Sequence, residues 1–209
     1  MSSIREMRLR IKSVKSLAQV TRALETVSAS KVRKAIQANQ ASKPYSEKAW
    51  KVLLHLARQP GHGNLHPLLS ERSTVKKIMV VMISGDRGLA GSYNVNVLRS
   101  TLMYFDQFSQ PVDYVCVGKK GRDLLLRRQA NVIADFSELS NPVTFLEISP
   151  IGHLIVDDFL NGEHDQFFIV YTDFISMTKQ EVVIRKLLPL EVEYSGNGPN
   201  ATHTSGNSV

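Results

Sequence analysis

The chain has 209 residues, 43% hydrophobic and 22% charged, which is enough for one or two domains with a buried core. It has no apolar run of about 18 residues, so no membrane-spanning helix is expected. Its basic N-terminus lacks the apolar stretch of a secretory signal, and its single cysteine, Cys116, cannot close an internal disulfide and suits a reducing compartment. The net charge of +7 is uneven. Residues 1–58 carry 13 Lys/Arg against 3 Glu, and the remainder carries 13 Lys/Arg against 16 Asp/Glu. One end is therefore a strongly positive element suited to an acidic partner.

Residues 4–57 contain no glycine and are rich in Ala, Lys, Arg, Gln, Glu and Leu, which favour helix. Apolar residues recur at Ile4, Met7, Ile11 and Val14, then at Leu17, Val20, Leu24 and Val27, in steps of three and four. The consecutive short steps through Leu17 resemble a stammer. A second frame runs through Ala35, Ala38, Ser42, Tyr45, Ala49, Val52 and Leu56, small in its first half, where a partner helix can approach closely. The pattern crosses Pro44 in one frame, so a single kinked helix is expected in preference to two helices meeting near Lys43. At ~1.5 Å per residue the segment spans about 80 Å, roughly twice the width of a compact domain of this mass. It must protrude, and its stripe needs a second helix to be stable. No other segment is of comparable length, so the partner lies in another chain or has been cut off. Without that partner the helix is expected to be poorly ordered.

Pro60, Gly61 and Gly63 end the helical stretch and His66-Pro67 marks a turn. Residues 59–74 read as a linker, and residues 75–194 as an α/β domain. Strands are expected at 77–84, 112–117, 132–136, 166–174 and 181–188. One helix follows the pattern Val95, Leu98, Leu102 and Phe105, and a second, very basic, covers 119–128. A third opens with Ser149 as N-cap and Pro150 at its first position, packs Ile151, Leu154, Ile155 and Phe159, and stops at Asn161-Gly162. This alternation predicts a mostly parallel sheet covered by helices. Residues 195–209 hold no Asp, Glu, Lys or Arg and read as a flexible linker or tail.

The loop from Ser84 to Gly91 sits between a strand and a helix, where phosphate sites occur. It matches neither G-x-G-x-x-G nor G-x-x-x-x-G-K-[ST] and has no lysine where a phosphate-binding loop needs one, so a structural loop is expected. His62 and His66 are four apart, but Gly61, Gly63 and Pro67 oppose the helix that spacing requires, and no metal site is expected. Cys116 reads as a buried structural residue, and Asp157-Asp158 as a solvated helix face. Asn200-Ala201-Thr202 fits a glycosylation sequon, in a chain with no sign of a secretory route. No set of residues suggests an active site or a cofactor. The cations of the long helix interleave with an apolar seam and not with aromatics, which first occur at Tyr45, and this argues against nucleic acid.

Several segments together resemble one family: Ile11-Lys12-Ser13-Val14-Lys15; Thr21-Arg22-Ala23-Leu24-Glu25-Thr26-Val27-Ser28-Ala29-Ser30-Lys31; Pro44-Tyr45-Ser46-Glu47; His66-Pro67-Leu68-Leu69; the loop Ser84 to Gly91 with Asn94; Gly118-Lys119-Lys120-Gly121-Arg122-Asp123; and Leu187-Leu188-Pro189-Leu190. In order and spacing they resemble the gamma subunit of F-type ATP synthases over almost all of residues 3–190. The resemblance implies an α/β fold made of a long N-terminal coiled-coil-forming helix (1–58) and a Rossmann-like foot domain with a mostly parallel sheet (75–194). It implies a rotor subunit of a proton-translocating synthase with no catalytic residue, no cofactor and no metal. Arg5, Arg8, Arg10, Lys12, Lys15, Arg22, Leu24, Lys31 and Arg33 would face the alpha and beta subunits of the catalytic ring. The foot would meet the epsilon subunit and the membrane rotor ring, with Asp86, Arg87, Gly88, Gly91 and Asn94 forming the family's loop. Because the match starts at residue 3, no transit peptide is expected, which favours a bacterial-type chain on the cytoplasmic face of the inner membrane. Two departures stand out. Ala90 lies where the family often has cysteine, and the chain ends at Val209 where the family continues into a second long helix. A truncated relative acting through its exposed helix is the alternative.

Overall fold

In the computed structural model, which describes residues 4–57, 66–70, 72–140, 143–190 and 201–203, the apolar run IMVVMI forms β1, Ile78–Ile83. It carries no polar side chain because it is the central strand and is covered on both faces. The other strands are β2 (Val112–Val117), β3 (Asn131–Phe136), β4 (Gln166–Phe174), β5 (Gln180–Leu188) and β6 (Ala201–His203). Their order in one sheet is β3-β2-β1-β4-β5-β6. β1 pairs in parallel with β2 and β4, and β2 with β3, while β5 runs antiparallel to both β4 and β6. The fold is α/β with a mostly parallel sheet.

Alternation along β1 divides the core. Ile78, Val80 and Met82 point to one face, where they meet Val97, Leu98 and Phe105 of α2 (Tyr93–Phe105) and Leu125 of α3 (Lys119–Arg127). Met79 and Val81 point to the other, against Ile151 and Phe159 of α4 (Phe145–Asn161). The period of two in the strand against 3.6 in the helices produces this layering.

The start of α4 differs from expectation. Ser149 and Pro150 lie inside the helix, which begins at Phe145 after an N-cap at Thr144. The Glu147 carboxylate accepts from the Thr144 N–H at 2.8 Å and from the Ser140 N–H at 2.8 Å, so a Thr-x-x-Glu capping arm fixes the N-terminus four residues before Ser149. Pro150 is the sixth helical residue, past the free N–H groups of the first turn, so it costs α4 one internal hydrogen bond. The C-terminus is as expected: Gly162 is left-handed at φ +80 and donates to the carbonyls of Asp158 and Phe159.

The tail also differs in part. Residues 201–203 pair with β5, Ala201 opposite Arg185, Thr202 opposite Ile184 and His203 opposite Val183. Edge-strand backbone groups accept any extended chain, so pairing there does not need apolar side chains. The rest of 195–209 lies outside the described residues, as do residues 59–65, which include His62, and residue 71 of the 59–74 linker.

The chain divides into two compact units, Met1–Val52 and Leu53–Val209. A single helix, α1, runs over Ile4–Ala57 and includes Pro44 without interruption.

Candidate functional site: surfaces for partner chains

Every apolar side chain of the α1 stripe from Ile4 to Val27 is more than half exposed, Leu24 at 62%. Surface of that kind gains nothing within the chain and a great deal against a partner, since apolar area contributes about 25 cal/mol per Å² buried. The cations the sequence singled out share this surface: Arg5, Arg8, Arg10, Lys12, Lys15, Arg22, Lys31 and Arg33 are all exposed. Arg10 reaches back one turn to Glu6 at 3.2 Å. Thr21 and Thr26 direct their hydroxyls to the carbonyls of Leu17 and Arg22, which satisfies them on the helix itself.

The loop from Ser84 to Gly91 lies at the C-terminal ends of the parallel strands, where α/β proteins place ligands. Here the chain fills that position with its own groups. One Asp86 carboxylate oxygen accepts from the Lys119 N–H at 2.9 Å, at the start of α3, and from the Glu138 N–H at 3.2 Å. The Asp86 carboxylate thus occupies the place where a helix N-terminus would hold a phosphate. Asn94 accepts from the Gly85 N–H at 2.9 Å, and the Ser84 hydroxyl accepts from the Gly121 N–H at 2.9 Å. A Cβ at Gly118 would lie 2.3 Å from the Ser84 carbonyl oxygen, and one at Gly121 would lie 2.4 Å from the Ser84 hydroxyl. These glycines let the second loop press against the first. Gly91 is glycine for its backbone, at φ +57, with nothing near its missing side chain. Arg87 and Gly88 are exposed, and Leu89 is fully exposed at φ +59. The structure therefore brings Asp86, Gly85 and Asn94 together as a brace and leaves Arg87, Gly88 and Leu89 facing outward.

Sequence reasoning missed a polar cluster at the opposite end of the sheet. Asp113, 3% exposed, accepts from Lys77 at 2.6 Å, from Asn131 at 2.8 Å and faces His164 at 3.0 Å. Burial pushes the Asp113 carboxyl up, but the hydrogen bonds from Lys77, Asn131 and His164 outweigh it and hold the group below the usual range. His164 turns its other ring nitrogen to Asp158, so Asp158 is not part of a solvated face, while Asp157 is exposed. Asp165 accepts from the N–H groups of Lys76 and Lys77 at 2.7 and 3.3 Å and lies 3.4 Å from Arg72, whose guanidinium stacks over the Phe159 ring. The signal was present: Asp113 interrupts an apolar strand at an inward position, and His164-Asp165 stands before another. Cys116 is fully buried, and burial pushes its thiol up to about 12, helped by the Asp135 charge.

A self-braced α/β domain and a long cationic helix with an exposed apolar stripe define a protein that works by contact with other chains. The family model described as ATP synthase matches residues 3–208. Among curated relatives, the ATP synthase gamma chain of Dehalococcoides mccartyi (strain CBDB1) is 42% identical over 191 residues, covering 91% of this chain and 67% of that one. The gamma chain of Desulforamulus reducens is 39% identical, covering 91% and 66%, and that of Roseiflexus castenholzii is 36% identical, covering 91% and 67%. A chain in the Euglena gracilis mitochondrial ATP synthase structure of OSCP, F1 and c-ring shares the fold, with a TM-score of 0.57 at 16% identity over 88% of this chain and 57% of that chain. The chain belongs to the ATP synthase gamma chain family, of bacterial type, and spans about two thirds of the length of these relatives.

Proposed function

We propose that the chain is the central-stalk rotor subunit of a proton-translocating F-type ATP synthase, coupling rotation to ATP synthesis or hydrolysis in the catalytic ring. The observation that carries this reading is α1: 54 residues of helix, cationic and apolar at once, in a member of the gamma chain family. Arg5, Arg8, Arg10, Lys12, Lys15, Arg22, Leu24, Lys31 and Arg33 are the residues we assign to contact with the alpha and beta subunits. The α/β unit, with the loop of Asp86, Arg87, Gly88, Gly91 and Asn94, is the foot that meets the epsilon subunit and the membrane rotor ring. A dispersed positive surface suits a rotor, because charge acts over several Å without locking one geometry. The chain supplies torque and no catalytic group. No described helix is long and apolar enough to cross a membrane, and we assign the chain a peripheral place on the cytoplasmic face of a bacterial membrane, held there by the complex.

A second reading rests on the exposed stripe: a shortened relative that binds another helix or an acidic surface. Native mass in a membrane extract separates the two. A chain that travels with an ATPase ring supports the rotor. A species near 23.4 kDa with no ring subunits overturns it and leaves the second reading.

A further inference from the structure

Residues 58–77 join α1 to β1. This covalent connection lies in the path of any torque passed between the stalk helix and the α/β unit. A strand that is free to extend yields before it pulls, so its attachments decide how directly it passes a load. The short 3-10 helix Pro67–Leu69 provides one attachment, packing Leu68 against the cluster that holds Ile151 and Phe159. Arg72 provides another. Its guanidinium donates to the Phe159 carbonyl, lies 3.4 Å from one Asp165 carboxylate oxygen and stacks 5.0 Å over the centre of the Phe159 ring. The other Asp165 oxygen accepts from the N–H groups of Lys76 at 2.7 Å and Lys77 at 3.3 Å. One carboxylate, 5% exposed, therefore holds the connection at two points. A Cβ at Gly162 would lie 3.1 Å from Nη1 of Arg72, so the glycine that ends α4 also makes room for the guanidinium.

We propose that Arg72 is a positioning residue for coupling: it clamps the connection between α1 and β1 onto the corner where α4 ends and β4 begins, so that the stalk helix and the foot turn in step. This role rests on the rotor reading. Arginine suits it because a planar fork meets a carboxylate and a carbonyl at once while its face lies on an aromatic ring, which fixes the side chain in direction as well as in charge.

The test compares Arg72→Ala and Arg72→Lys with the parent in the assembled synthase, in inverted membrane vesicles, by the protons pumped per ATP hydrolysed. Hydrogen exchange in the 209-residue chain reads the clamp itself. Arg72→Ala is expected to speed exchange of the Lys76 and Lys77 amides ~10-fold or more. It is expected to lower the pumping ratio ~2-fold or more while ATP hydrolysis continues. Arg72→Lys keeps the charge and loses the fork, so it falls between the two, and it is the variant to read where Arg72→Ala does not assemble. A role confined to stability lowers hydrolysis and pumping together and leaves the ratio at the parent's value. That result overturns the proposal, and so does unchanged exchange at Lys76 and Lys77. A parent chain that does not pump with its ring overturns the rotor reading and this role with it, whereas a coupled parent beside an equally coupled variant overturns this role alone.

Discussion

Gly118 and Gly152 make a matched pair at the scale of single residues. A side chain at Gly118 meets backbone at 2.3 Å and sits at φ +104, whereas nothing lies within 4 Å of a Cβ at Gly152 in the exposed part of α4. Gly118→Ala is expected to destabilise the domain by roughly 2–4 kcal/mol, and Gly152→Ala to stabilise it by about 0.5–1 kcal/mol, both read from denaturant unfolding. Asp113→Ala removes the carboxylate from a buried cluster and is expected to cost roughly 2–3 kcal/mol; the cost falls below that of a fully buried pair because Lys77 is 38% exposed. The pH dependence of this pair has a definite sign. Asp113 is lowered, so its contribution is present above the ordinary carboxylate range and fades as pH falls through its folded pKa. Lys77 is raised, chiefly by its hydrogen bond to Asp113 and against the opposing effect of burial, so its contribution is present below the ordinary lysine range and fades as pH rises through its folded value. Glu147 is lowered to about 2 by hydrogen bonds from the Ser140 side chain and then from Thr144. Acid therefore loosens the start of α4 between the ordinary carboxylate range and about pH 2, and Glu147→Gln removes that dependence in an acid unfolding series. Cys116, with its thiol pushed up to about 12, is expected to resist alkylation in the native chain and react only on unfolding.

At the scale of elements, α1 and the sheet differ in what holds them. Its stripe is exposed and Pro44 lies in its interior, so its stability depends on whatever helix packs against it. In circular dichroism of the 209-residue chain, part of the helical signal is expected to be lost on heating before the α/β unit unfolds. Pro44→Ala should raise that first transition, since an interior proline costs ~3 kcal/mol. A fully helical, heat-resistant residue 4–57 segment in the isolated chain would contradict this. The α/β elements behave oppositely, because the central strand β1 is closed by helices on both faces.

For the whole molecule, the uneven charge sets how partners are met. Residues 1–58 carry a net of +10 within a total of +7, so association with an acidic ring should weaken as salt rises. Arg8→Glu/Lys12→Glu/Lys15→Glu is expected to lower affinity for the alpha and beta subunits ~10-fold or more at low salt, and by much less at high salt. Leu24→Asp should weaken it at both, because burial of apolar surface is not screened. Binding measured across a salt series separates the two contributions.

The sequence by itself determined whatever depends on near neighbours. The period of α1, the apolar strands, the Gly162 stop and the charge asymmetry all follow from residues a few positions apart, where side-chain spacing and backbone geometry decide the outcome. The start of α4 was also local, written in Thr144 and Glu147, but Ser149-Pro150 offered a competing signal that the capping arm overrode. Tertiary structure alone decided the rest. Asp113 met His164 from 51 residues away, and Asp86 tied loops 33 and 52 residues apart. The strand at 201–203 took its place from an open edge rather than from its own composition. A buried carboxylate or an edge strand takes its partner from the order in which the strands assemble, and periodicity along the chain holds no record of that order.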